Sequence, residues 1–137
     1  MECGVGDPWF GHIASGEKTV EGRLNRGKFA AIKVGTVLTI RSSSSSGSSG
    51  SGHLRCRVSE VAKYGSFRQL LEQEGVRHVL PGVSGVAAGV SVYRKFYSAQ
   101  DEAAHGVLGL HLTRIKPQRS SKSTWCAEPI KTKAVGQ

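Results

Sequence analysis

The sequence predicts an α+β fold, specifically a small mixed β-barrel with peripheral helices. Strand-like alternation of apolar and polar residues occurs in residues 36–40 and 54–58 and again near the end, in residues 106–115. Helical patterns are confined to residues 7–16 and to the interval 66–98. Strands on both sides of an inserted helical segment favour a small barrel over a doubly wound sheet.

The positive charge of the chain favours a polyanionic partner. The 137 residues include 19 Lys and Arg and 10 Asp and Glu, which leaves a net charge of +9. Residues 1–115 hold 14 basic and 9 acidic side chains, and residues 116–137 hold five and one, so both parts are basic. A basic excess attracts polyanions, and RNA or a nucleotide is therefore the leading predicted partner. A charge surplus that serves only solubility remains the alternative.

The sequence predicts an intracellular protein, cytoplasmic or nuclear, with no membrane partner. No apolar run is long enough to span a bilayer, and the N-terminus lacks the pattern of a secretory signal. Cys3, Cys56 and Cys126 are scattered and have no CxxC spacing, so neither a disulfide framework nor a zinc site is expected. The five histidines show no metal-ligand spacing, and we predict no metal and no cofactor.

Low-complexity and unpatterned segments predict how the chain is organised. Residues 42–52 consist only of Ser and Gly, so we predict a flexible loop between two strands. Residues 116–137 have no sustained period and a basic composition, and we predict a basic C-terminal tail. The folded domain is accordingly expected to span residues 1–115.

Capping signals predict the ends of the first two helices. Asp7 stands at an N-cap position, Pro8 in the first helical position and Gly16 at the C-terminal stop. A second helix is predicted to open at Ser66, with Gln69 three residues later in the spacing of a capping box.

A third helix is predicted over residues 84–98, and it mixes aromatic and basic side chains. Arg94 and Lys95 are the candidates for contact with RNA, because bases stack on aromatic groups and phosphates pair with basic ones. Tyr93 and Tyr97 share one helical face, so packing on the core is the more ordinary role for both rings.

Residues 17–23 place four charged side chains within seven positions, directly after the first helix. In an extended chain Glu21 and Arg23 point to one side, and Lys18 at the turn can swing around to join them. Such a group can bind an anion or the polar edge of a base, and Lys18 can act as a base if burial or Arg23 lowers its pKa. The alternative is a solvated strand with ordinary surface ion pairs.

The stretch PWFGHIASGEKTVEGRL, residues 8–24, resembles the ASCH family, the activating signal cointegrator homology domains. The hallmark of that family is a G-x-K-x-x-E-x-R run after the first helix. Gly16, Lys18, Glu21 and Arg23 occupy its four named positions. The resemblance continues to the last predicted strand and covers about residues 7–115.

The resemblance implies a PUA-like barrel, with a cleft lined by the hallmark residues, that binds RNA or a nucleotide. The implied ligand-binding residues are Gly16, Lys18, Glu21 and Arg23, and the basic pair of the third predicted helix, Arg94 and Lys95, joins them as further RNA-binding candidates.

The family also contains hydrolases, which gives a first alternative: an enzyme acting on N4-acetylcytidine or RNA. In that case Lys18 is the implied base, Glu21 stands where the family's nucleophilic Thr is found, and Glu74 lies in the region of the assisting Glu. A second alternative is a protein-interaction module of a transcription or translation complex.

Overall fold

The computed structural model describes residues 1–43 and 52–115. Most of the predicted Ser/Gly loop over 42–52 and all of the predicted basic tail over 116–137 lie outside the described residues.

One five-stranded sheet forms the body of the fold. Its strands are β1 (Glu2–Val5), β2 (Val20–Leu24), β3 (Val37–Ser42), β4 (His53–Tyr64) and β5 (Val107–Ile115). The strand order is β1-β3-β4-β5-β2, with β1 and β3 parallel and the other pairs antiparallel. The sheet curls into a half-barrel, and the edge strands are bridged where Arg23 Nη2 of β2 donates to the Gly4 carbonyl of β1, at 2.7 Å. The predicted α+β fold is confirmed.

The α-helices of the described residues lie between β1 and β2 and between β4 and β5, the two intervals in which the sequence predicted helices. They are α1 (Trp9–Ser15), α2 (Phe67–Glu74), α3 (Val76–Val79), α4 (Val86–Arg94) and α5 (Ala99–His105), and a 3-10 helix spans Gly27–Ala31. Gly16 ends α1 in the left-handed conformation, with φ of 89°, as predicted. The N-cap prediction at Asp7 is wrong: Pro8 occupies the N-cap position and no side chain caps the helix. Because the first turn begins one residue later than predicted, Asp7 is left outside it.

Side-chain caps explain where α2 and α5 begin. Ser66 Oγ accepts the backbone N–H of Gln69 at 3.1 Å, which confirms the predicted start of α2. The helix predicted over residues 84–98 is present as α4, but it ends at Arg94, four residues earlier than predicted. Ser98 Oγ accepts the backbone N–H of Asp101 at 3.0 Å, and this second cap starts a new helix.

Two hydrophobic clusters occupy opposite faces of the sheet. The first fills the inner face of the curl against α1; its members include Cys3, Val5, Ile13, Leu38, Ile40, Leu54, Cys56, Val58, Leu108 and Leu110. The second packs helices against the outer face of β2 and β5; its members include Val20, Leu24, Phe67, Leu70, Leu71, Val79, Leu80, Tyr93 and Val107. Helices therefore cover the β5–β2 half of the outer face, whereas side chains on the outer face of β3 and β4 are exposed or half-buried.

Candidate functional site

A cleft of about 270 Å³ lies in the opening of the half-barrel, between the edge strands β1 and β2. One side is formed by Gly4, Val5 and Gly6, at the end of β1. The floor contains three of the four hallmark side chains, Lys18, Glu21 and Arg23. The remaining wall is mainly aromatic, with Trp9, Tyr93, Phe96 and Tyr97 beside the aliphatic Leu80 and Val92. The curl of the sheet thus brings a polar floor and an aromatic wall together.

Lys18 is buried at the base of the cleft, and all three of its ammonium protons have acceptors. The turn that begins at Gly16 directs its side chain inward, where Nζ donates to the Val20 carbonyl at 2.7 Å and to the Val79 carbonyl at 2.5 Å. The third partner is Glu21 Oε1, at 3.1 Å. Lys18 therefore links the start of β2 to α3, and it offers no free proton to a ligand.

Glu21 and Arg23 complete a buried ionic triad. Glu21 Oε2 accepts Arg23 Nε at 2.6 Å, while its other oxygen faces Lys18. The guanidinium of Arg23 also donates to Gly4 and lies 4.7 Å from the centre of the Phe29 ring. The charged groups of the floor therefore pair mainly with one another. The alternative interpretation, a solvated strand with ordinary surface ion pairs, is wrong because these pairs are buried.

Burial and pairing shift the pKa values of the triad. Burial lowers the pKa of Lys18, although the charge of Glu21 opposes the shift. The ammonium form still fits the geometry, because a neutral amine has only two protons for these three acceptors. Burial by itself would raise the pKa of Glu21, but Lys18 and Arg23 outweigh it and hold that pKa below its ordinary value. The pKa of Arg23 is raised: burial would lower it, but Glu21 outweighs that effect.

The hydroxyl of Tyr93 is a buried polar group whose proton has no acceptor among the described residues, while the backbone of Gly22 is near enough to influence its pKa. Burial, reinforced by the charge of Glu21, raises the pKa of Tyr93 well above its ordinary value, so the hydroxyl stays protonated. A Cβ at Gly22 would lie 2.6 Å from this oxygen, so only glycine leaves room for it beside β2. Buried polar groups normally have partners, and this exception lies on the cleft wall.

The other predicted site residues lie outside the lining of the cleft. Gly16 directs the chain that positions Lys18. Arg94 Nη2 pairs with Glu102 at 2.9 Å, and Lys95 is exposed just after α4. Glu74 belongs to a separate cluster with Tyr64 and His111.

Glu74 accepts two hydrogen bonds from side chains that do not line the cleft. The Tyr64 hydroxyl donates to Glu74 Oε2 at 2.5 Å, and His111 Nε2 lies 2.9 Å from the same oxygen. Burial and the bond to Glu74 raise the pKa of Tyr64 to about 12. Glu74 is thus not brought together with Lys18 and Glu21.

Sequence reasoning missed the β1 side of the cleft. Gly4, Val5 and Gly6 follow a strand of only four residues, which is too short for an alternation pattern to stand out. The aromatic wall carried a signal, the mixed aromatic and basic stretch at residues 93–97, but Phe96 was not singled out. Its ring is 69% exposed and lines the cleft mouth.

Residues 1–43 and 52–115 contain neither a metal-binding cluster nor a membrane-spanning helix. No group of three or more His, Cys, Asp or Glu side chains there is arranged to hold a metal ion. No helix in those ranges has the length and apolar character needed to cross a bilayer.

The curled mixed sheet and the cleft at its open edge define a PUA-like fold of the ASCH type. The ASCH domain family matches residues 4–133 of the sequence, and the chain belongs to that family.

Solved structures agree with this assignment. The crystal structure of hypothetical protein PH0355 has a TM-score of 0.73 and 35% sequence identity, with 83% of this chain and 97% of that chain covered. The solution structure of protein PF0455 from Pyrococcus furiosus has a TM-score of 0.65 and 34% identity, covering 85% of this chain and 100% of that one.

A mutant of ZmASCH from Zymomonas mobilis shares the fold at 17% identity. Its TM-score is 0.53, and the match covers 82% of this chain and 67% of that chain. Among proteins of curated function, none matches this chain significantly.

Proposed function

We propose that this ASCH domain binds RNA or a nucleotide by receiving a base in the cleft between β1 and β2. The observation that carries the proposal is an aromatic cleft of about 270 Å³ whose lining includes Tyr93, a tyrosine with a buried hydroxyl proton that has no acceptor among the described residues. A ligand that presents a flat ring and a hydrogen-bond acceptor satisfies both features at once.

The aromatic wall suits the face of a base. Trp9 and Phe96 line the cleft on separate segments, and the exposed ring of Phe96 has little packing to lose when it meets a ligand. Stacking on an aromatic side chain contributes about 1–3 kcal/mol per base and tolerates every base.

The polar groups of the cleft suit the edge of a base rather than a phosphate. The Tyr93 hydroxyl donates, and Glu21 is held ionised by two cations and can accept a further hydrogen bond from an exocyclic amino group. A phosphate would instead approach a carboxylate and find the protons of Lys18 already donated. The charges of the floor orient the site and leave recognition to the base.

Binding has more support than hydrolysis as the function of this cleft. Lys18 has a lowered pKa, which favours a base, yet its protons are bonded to two carbonyls and a carboxylate. Glu74 is bonded to Tyr64 and His111 outside the cleft. Acyl transfer needs a nucleophile and a base within hydrogen-bond reach, and the hydroxyl of Tyr93 is held protonated.

The test titrates the full chain with the four ribonucleoside monophosphates, followed by calorimetry, and repeats it with Tyr93→Phe. We expect measurable binding of at least one nucleotide and a loss of about fivefold to tenfold in Tyr93→Phe, the value of one neutral hydrogen bond. Tyr64→Phe is the matched control, because it removes a hydroxyl from a tyrosine outside the cleft lining.

Two results would overturn the proposal. Equal losses in Tyr93→Phe and Tyr64→Phe would mean that the hydroxyl in the cleft has no special role. Absence of binding by any nucleotide would remove the cleft as a base site and favour the protein-interaction alternative. Release of cytidine from N4-acetylcytidine, measured in the same preparations, would favour the hydrolase.

A further inference from the structure

Two arginines on the outer face of the sheet have no partner within the described part of the chain. Arg55 and Arg57 occupy alternate positions of β4, and both side chains are exposed. Residues at i and i+2 of a strand lie on the same face, about 7 Å apart. Since Leu54, Cys56 and Val58 are buried on the inner face, both guanidinium groups project outward.

The neighbours of these arginines add positive charge and almost no negative charge. Across β3, Arg57 faces Val37 and Arg55 faces Thr39, and across β5 they face Thr113 and Ile115. His53 precedes them on β4 and Arg41 lies opposite it, on the same face. The described carboxylates on the outer face of β1, β3 and β4 are Glu2, which is bonded to Arg41, and Glu60, which lies past the bulge that follows Val58.

We propose that this outer-face strip, Arg55 and Arg57 with His53 and Arg41 beside them, binds the phosphate backbone of single-stranded RNA, separately from the cleft. The choice of RNA as the polyanion rests on the proposed function, whereas the strip itself rests on the arrangement of its charges.

The type and spacing of the side chains suit phosphates. A guanidinium binds phosphate oxygens through two parallel hydrogen bonds, and both arginines have all their donors free of partners in the described residues. Their separation along β4 is similar to that of successive phosphates along an extended strand. Contacts of this kind supply affinity and position without reading sequence.

Other occupants of the strip fit the charges less well. Residues 116–137, which follow Ile115, carry five basic side chains and one acidic one, so they would meet the strip with like charge. A second copy of the chain has a net charge of +9 and would bring the same arginines. An extended polyanion is the complementary partner, and Gly4 and Ser43 of the cleft lining lie on or beside the strands that lead to the strip.

The test compares two double variants of the full chain that each lose two positive charges. Arg55→Gln/Arg57→Gln removes the centre of the strip. Lys63→Gln/Arg77→Gln removes two exposed cations that have no ion pair in the described residues and lie outside the strip. Binding of a labelled oligouridylate of about twelve nucleotides is followed by anisotropy at several salt concentrations. Binding of cytidine monophosphate, whose base carries both an acceptor and an exocyclic amino group, is followed by calorimetry.

We expect the strip variant to bind the oligouridylate about tenfold more weakly at low salt. The decline of log K with log salt should become less steep by about 1.4, the value of two single-strand contacts. The control variant should change both quantities much less. Binding of cytidine monophosphate should be unchanged by the strip variant and reduced by Tyr93→Phe, so a failure of the cleft and a failure of the strip give different results.

Three results would overturn the proposal: an oligouridylate affinity and slope that the strip variant leaves unchanged, equal losses in both double variants, or no binding of the oligouridylate by the wild-type chain. Poly-glutamate bound as tightly as the oligouridylate at equal salt would also overturn it, since the strip would then suit an acidic polypeptide.

Discussion

The cleft and the outer-face strip both contain basic side chains, but they hold their charge in opposite ways. In the cleft, Lys18 and Arg23 are directed at Glu21 and at backbone carbonyls. On the strip, Arg55 and Arg57 are exposed and have no partner among the described residues. Counting charges in the sequence therefore misleads about which region attracts a polyanion.

The difference follows from burial. A charge removed from water must have hydrogen-bonded partners, so the buried cations of the cleft stabilise the fold and shape the site. An exposed arginine keeps its hydration and costs the fold little, so it is free to exchange water for a phosphate. The hallmark residues Lys18, Glu21 and Arg23 therefore shape the cleft, whereas Arg55 and Arg57 of β4 carry exposed positive charge that can contact a ligand.

The largest expected effect is a difference in the free energy of unfolding between a variant of the cleft and a variant of the strip. Lys18→Met removes the cation that holds Glu21 and the carbonyls of Val20 and Val79, and we expect a loss of about 3–5 kcal/mol in the free energy of unfolding. Arg57→Gln should change it by less than about 0.5 kcal/mol, because the side chain is exposed. Urea unfolding measures both. Similar losses in the two variants would show that the triad is not the structural element described here.

A second, smaller effect concerns acid. The pKa of Glu21 is lower in the folded chain than its ordinary value of 4.5, so its ionisation stabilises the fold above about pH 4.5 and this stabilisation is lost as the pH falls through the folded pKa. Glu21→Gln should lower stability at neutral pH and flatten its decline in acid.

The matched control for the acid experiment is on the outer face. Arg41 also lowers the pKa of Glu2, through a hydrogen bond and its charge, but that pair is exposed. Glu2→Gln should therefore flatten the decline much less than Glu21→Gln when unfolding is measured between pH 7 and pH 3. A larger effect of Glu2→Gln would contradict the contrast between the two regions.

The smallest expected effect is a response of stability to salt. Arg55 and Arg57 repel each other weakly on one face of β4, and salt screens charges that are exposed. Raising salt should stabilise the wild-type chain by about 0.5 kcal/mol or less, and part of this gain should be missing from Arg55→Gln/Arg57→Gln. Thermal unfolding at low and moderate salt measures it. A gain that the double variant retains in full would assign the repulsion to other side chains.

The sequence by itself determined the elements that depend on local rules. Gly16 ends α1 because glycine alone adopts a left-handed conformation without strain, and Ser66 begins α2 because its hydroxyl reaches a backbone N–H three residues on. Alternation along residues 106–115 identified β5, and the spacing of Lys18, Glu21 and Arg23 placed them within reach of one another. These features involve neighbours in the chain.

Only the tertiary structure decided the features that depend on distant partners. The acceptors of Lys18 include the Val79 carbonyl, 61 residues away, so burial and saturation of its ammonium could not be inferred from the hallmark run. The unpaired hydroxyl of Tyr93 depends on Gly22 leaving space beside it. The short strand β1 gains its stability from pairing with β3, and the curl of the whole sheet brings it opposite β2 to form the cleft. A local pattern records the conformation of a segment, but the partner that buries or satisfies a side chain is set by how the sheet closes.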